Sequence, residues 1–210
     1  MADVVALQSL LRDRRLWRGQ GESSPPLSRR PTGHAALDSA LPAGGWPEAA
    51  LVEILIAADG LGELALLLPT LALQSAQGKP IVVIAPPYRP YAPAWQRAGV
   101  QLSQLHLVEA NAKDALWAME QALRAGCCGA VIAWPMQADD ATLRRLQVAS
   151  ETGQTLGFAF RPTQAQHNPS PAPLRLSLQG TAQDPELRVL KCRGALPPAR
   201  PVPFHPHLLH

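Results

Sequence analysis

The segment Ile56-Ala57-Ala58-Asp59-Gly60-Leu61-Gly62-Glu63-Leu64 has the outline of a phosphate cradle and the wrong chemistry for one. A working cradle reads G-x-x-x-x-G-K-[ST]. Its backbone N–H groups wrap the phosphates, its lysine neutralises their oxygens, and its hydroxyl holds magnesium. Here Gly60 and Gly62 keep a flexible turn, but Glu63 stands where the lysine follows the last glycine. Leu64 stands where the hydroxyl would be. A carboxylate about 4 Å from a phosphate charge costs about 4 kcal/mol at an effective dielectric of ~20. Two later positions repeat the loss. The apolar run PIVVIA ends in Pro86-Pro87, with no carboxylate to polarise a water, and AVIAW ends in Trp134-Pro135, where an acid would hold magnesium. These positions predict no catalysis, no cofactor, no metal and no small-molecule substrate.

Other reactive side chains offer little. Cys127 and Cys128 are adjacent, without a nearby histidine to activate a thiol or the C-x-x-C spacing of a metal site. We expect them, and Cys192, to be packed as small buried residues. His205, His207 and His210 crowd a proline-rich end, ALPPARPVPFHPHLLH, whose composition predicts an extended or disordered tail.

The elements that would carry these positions alternate. Apolar runs at 51–57, 80–85, 105–110, 129–134 and 154–160 read as strands. Helical patterns fall at 62–78 (with Pro69 inside), 113–126 and 141–153. In the second helix Leu116, Met119 and Leu123 make one stripe, and Asp139 or Asp140 starts the third. Such alternation predicts a mostly parallel sheet covered by helices. A proline-rich loop (161–173) leads to two closely spaced strands, 173–179 and 186–192, expected as an antiparallel hairpin at the sheet edge. Ahead of this core, residues 3–18 read as an amphipathic helix with Leu7, Leu10, Leu11 and Trp17 on one side and Arg12, Arg14, Arg15 and Arg18 around the rest. Its apolar side needs either the chain's own core or a partner protein. The expected division is thus a helix (1–19), a linker (20–30), the core (31–195) and a flexible tail (196–210).

Composition agrees with a helix-covered sheet: 47% of the 210 residues are hydrophobic and only 5% aromatic. The net charge of +3 permits contact with nucleic acid or an acidic protein face without requiring either. The opening MADVVALQSLLRDRR mixes charges into its apolar positions, so we expect neither a signal peptide nor a membrane anchor, and a reducing cytoplasm as the setting.

PTGHAALDSALPAGGWPEAALVEIL (31–55) resembles the lead-in to the RecA core: T-G-x-x-x-L-D, a G-G turn, then a strand carrying V-E-I. The resemblance continues in order through 96–134, 143–162 and LRVLKCRG (187–194), covering roughly 31–195 in one register. Within that group, GGWPEAAL, APPYRPYAPAW, WPMQADDATLRRLQ, FRP followed by NPSPAPLRL, and VLKCRG are similar to the ImuA family. SulA, another relative of RecA without ATPase residues, is the second family resembled.

The resemblance implies a RecA-like three-layer α/β/α core. It also implies an accessory role in mutagenic translesion synthesis induced by DNA damage. The implied partners are an ImuB-type polymerase paralogue and RecA, with a replicative-type polymerase subunit reached indirectly. The SulA alternative implies binding of FtsZ, and a residual nucleotide-binding enzyme is a further alternative. Lys191 and Arg193 match RecA lysines that reach a neighbouring protomer's nucleotide, which would make this chain a cap on a RecA filament. The loops matching RecA's DNA-binding loops are short and lack basic clusters, so DNA contact is weak or indirect, through Arg144 and Arg145. Candidate partner contacts are Leu7, Leu11 and Trp17 in the first helix and the rings Tyr88, Tyr91 and Trp95.

Overall fold

The computed structural model describes residues 30–181 and 183–206. The elements are, in order, α1 (Ala35–Ala40), β1 (Leu51–Ile56), α2 (Glu63–Ala76), β2 (Ile81–Ile84), α3 (Ala92–Arg97), β3 (Leu105–Val108), α4 (Ala112–Arg124), β4 (Ala130–Ala133), α5 (Asp140–Gly153), β5 (Gly157–Pro162), β6 (Leu174–Gly180) and β7 (Pro185–Cys192). They form one seven-stranded sheet in the order β3-β2-β4-β5-β1-β6-β7. Every neighbouring pair is parallel except β6 and β7, the expected antiparallel hairpin at the edge.

Period-two alternation sorts the strands onto two faces. Ile81, Val83, Ile132, Phe158 and Phe160 join Leu66, Leu67 and Leu71 of α2 and Trp95 of α3 in one core. Ile84, Val131, Ala133 and Ala159 join Met119 and Leu123 of α4 and Leu143, Leu146 and Ala149 of α5 in the other. Helices therefore pack on both faces, and each fully buried Leu or Phe side chain contributes about 1.5–3 kcal/mol. The third helical pattern starts as expected: the Asp139 carboxylate accepts from the Thr142 amide at 2.8 Å.

The T-G-x-x-x-L-D segment has a physical explanation here. Leu37 is buried, and Asp38 Oδ1 accepts from the Thr32 amide at 2.8 Å. Gly33, at φ +85°, lies so close to Pro69 that a Cβ would come within 2.3 Å of the proline ring. Pro69 has no N–H for the turn before it. His34 lies along that stretch of α2, with Nε2 3.1 Å from the Leu66 carbonyl. Trp46, expected over the apolar start of the sheet, is fully buried. It stacks edge-on against Phe158 and donates to Thr70 Oγ1 at 2.7 Å.

Two expectations are corrected. The proline-rich tail is not loose as far as residue 206: Val202 pairs with Leu187, and Val202 and Phe204 are buried in the first core. Cys127 is exposed and Cys128 half-buried, because they sit on the turn after α4 and not inside the sheet. Cys192 is buried as expected. The first helix (1–19), residues 20–29 of its linker, His207 and His210 lie outside the described residues. Among the described residues no helix is long and apolar enough to cross a membrane.

Candidate functional site: the loop between the first strand and the second helix

The loop 57–62 leaves the carboxyl end of β1 and turns into α2, where open α/β sheets hold ligands. Gly62 caps α2 at φ +86°, in the left-handed region that favours glycine. It is constrained from outside as well. A Cβ there would meet Pro206 Cβ at 2.6 Å, with Phe204 Cε1 at 3.9 Å. Phe204 lies edge-on to the His34 ring, centroids 5.3 Å apart, so the tail, the lead-in segment and α2 close on one another. Burial holds the His34 imidazole below the usual histidine range; its contacts with the Leu66 and Ala65 carbonyls oppose this only partly.

Glu63 begins α2 and is 8% exposed, and its Oε2 has no hydrogen-bond partner. Its negative charge lies at the positive end of the helix, where an anion would otherwise bind. Leu64, in the hydroxyl position, packs against the first core. Among the described residues the cradle loop therefore presents a carboxylate at the helix start, with Pro206 and Phe204 as a partial lid at Gly62 and residues 57–60 exposed.

The middle of β1 holds a second buried carboxylate, Glu53, which the sequence reading left as part of an apolar strand. Arg161 Nη1 donates to Glu53 Oε1 at 2.7 Å, and Arg175 Nε lies 2.6 Å from Oε2 without its N–H aligned on that oxygen. All three residues are buried. The terminal guanidinium nitrogens also donate to carbonyls: Arg161 Nη2 to Ala138 at 2.5 Å, and Arg175 to Ala165, Gln166 and Asn168 at 2.7, 3.3 and 3.3 Å, while Arg161 Nε has no hydrogen-bond partner among the described residues. Segment 163–173 is thereby held across β1. A signal was available: LVEILI, GFAFRP and LRLSLQG are apolar strands that each carry one charged residue.

The other predicted residues fall into distinct places. Tyr88 and Tyr91 are 70% and 67% exposed on the loop after β2, beside the edge strand β3. Trp95 is 3% exposed, which corrects its reading as a partner contact: α3 turns its indole into the core. Lys191 and Arg193 are exposed at the far end of β7, away from the cradle. The Lys191 ammonium donates to the Ser170 carbonyl at 2.8 Å. Partial burial, then Arg175 and Arg193, hold its pKa below the usual lysine range. Arg144 and Arg145 are exposed but paired, Arg144 with Asp140 at 2.8 Å and Arg145 with Glu120. Burial, followed by the neighbouring Cys127, pushes the Cys128 thiol up to about 12, so it makes a poor nucleophile.

With this geometry in hand, comparison with known proteins gives two positive findings. The solved crystal structure of SulA from Pseudomonas aeruginosa is 27% identical, with a TM-score of 0.45, over 53% of this chain and 97% of that one. No curated protein matches. The family model described as cell division inhibitor SulA matches residues 51–157, from the first residue of β1 to the first of β5 and across the altered cradle. That span is half of the chain, and the chain belongs to the SulA family.

Proposed function

We propose that this chain is a non-catalytic binding protein of the DNA-damage (SOS) response, an accessory of translesion synthesis in the manner of the ImuA family. Its partners are an ImuB-type polymerase paralogue and RecA. The observation that carries the non-catalytic part is the cradle loop: Glu63 in the cation's place, with Phe204 and Pro206 packed at Gly62 beside it. Such a site has no means of screening a triphosphate, so the fold works through its surfaces. A RecA-like three-layer core is supported by helices on both sheet faces and by the place of the cradle loop after β1.

The ImuA-like reading draws support from what lies outside the family match. The sequence blocks FRP, NPSPAPLRL and VLKCRG fall after residue 157, and there they supply the β6–β7 hairpin and the two arginines, Arg161 and Arg175, that pair with Glu53. The tail that packs at Gly62 also lies there. Exposed Tyr88 and Tyr91 are the partner contacts we favour. Capping of a RecA filament would use Arg193, with Lys191 leaving Ser170. A DNA contact would require Arg144 and Arg145 to exchange their carboxylate partners for phosphates, in keeping with a weak or indirect role.

A second reading is favoured by the family match itself: a cell-division inhibitor that binds FtsZ. Two experiments separate them. Tagged full-length chain, recovered from DNA-damaged cells, should enrich a polymerase-like protein and RecA. Purified chain should leave FtsZ polymerisation unchanged. Enrichment of FtsZ with arrest of its polymerisation would replace the first reading by the second.

A further inference from the structure

At the end of the sheet opposite the cradle lies a cavity of about 230 Å³. Leu41, Ala49, Leu174 and Cys192 give it apolar walls. Its charged lining residues are Glu48, Glu151 and Arg193, all exposed, and Arg30 stands against Glu48 at its margin. The described chain begins beside it. The Arg30 carbonyl accepts from the Trp46 amide at 2.9 Å, its guanidinium donates to the Gln154 carbonyl at 3.4 Å, and Glu48 attracts that guanidinium. Residues 1–29 therefore join the fold next to this cavity.

The sequence of 1–29 suits what the cavity presents. Residues 3–18 carry Leu7, Leu10, Leu11 and Trp17 with four arginines against two aspartates, and the arginines gather at the end nearest the fold. The connecting residues 19–29 span at most about 3.5 Å each when extended, roughly 40 Å in all, so the segment reaches the cavity with room to spare. Tethering on this scale gives an effective concentration in the millimolar range, enough for a modest surface to be occupied.

We propose that residues 3–18 dock on their own chain at this cavity, with Trp17 entering between the apolar walls and the arginines facing Glu48 and Glu151. The docked segment shares the site with Arg193, so a partner that uses Arg193 competes with it.

The test replaces Trp17 in the full chain with the photo-crosslinker p-benzoylphenylalanine. Irradiated at low micromolar concentration, the chain should cross-link to itself within residues 41–50, 147–151, 173–174 or 192–193, mapped by mass spectrometry. The yield should fall at least threefold in a Glu48→Lys, Glu151→Lys double variant, and also in 0.5 M salt, which screens exposed charges. Melting of the double variant checks that the fold is kept, and the salt arm needs no variant. Cross-links elsewhere, cross-links found only in covalent dimers, no cross-links, or a yield indifferent to both charge reversal and salt would each overturn the proposal.

Discussion

Glu53 and Glu63 lie ten residues apart and are both buried, yet their surroundings are opposite. Glu53 sits mid-strand between two arginines that also donate to the carbonyls of Ala138 and of the 165–168 segment. Glu63 sits at the end of the same strand–loop unit, with one oxygen unpartnered and the start of α2 for compensation. The first is an ion cluster that ties a long crossing segment to the sheet. The second stands at a helix start with no ion pair among the described residues. Burial of a charge alone therefore does not mark its role; the charges that face it do.

The sharpest way to break this contrast is to remove Glu53. Glu53→Ala leaves two buried guanidinium groups facing each other and should cost about 3–5 kcal/mol in urea unfolding. A loss below about 1 kcal/mol would mean that the cluster is wetter and less important than its geometry states. Next in size is Phe204→Ala, which empties the lid and should cost about 3 kcal/mol. It should also raise proteolysis and hydrogen exchange in residues 196–206. An unchanged tail would separate the lid from the cradle.

Glu63→Gln should change stability by no more than about 1 kcal/mol. It exchanges a carboxylate lacking a cation for an amide and gives up only its interaction with the helix end. If this variant lost as much as Glu53→Ala, Glu63 would belong to the same structural class and the contrast would fail.

The smallest effect concerns His34. Its pKa is lowered in the folded chain, so the unfolded chain binds the proton more readily. The stability His34 contributes is complete above the ordinary histidine value. It declines as pH falls below that value towards the lowered one. His34→Gln should flatten the melting temperature between pH 7.5 and 5.5, and an undiminished pH slope would remove His34 as its source.

Much of the fold was legible because its strands and longer helices differ in period. Ile81/Val83 and Phe158/Phe160 alternate faces, whereas Met119 and Leu123 recur at helical spacing. The short helices α1 and α3 were not, since six residues hold too little periodicity. The tail was misjudged for a different reason. Its prolines suggested disorder, but Val202 and Phe204 alternate with exposed Pro201, Pro203 and His205, a strand-like pattern hidden in the composition. The departure from a phosphate-binding pattern was readable at Glu63 and Leu64. That Pro206 packs against Gly62 was not, because it depends on a contact between residues far apart in sequence.

The central claim is that this cradle no longer serves a nucleotide. It is tested most directly by following the melting temperature of the full chain as magnesium-ATP is added to millimolar levels. The account predicts no shift, because a ligand that binds only the folded state must raise the midpoint once its concentration passes its Kd. A rise that grows with ATP concentration, accompanied by hydrolysis that Glu63→Gln abolishes, would contradict it.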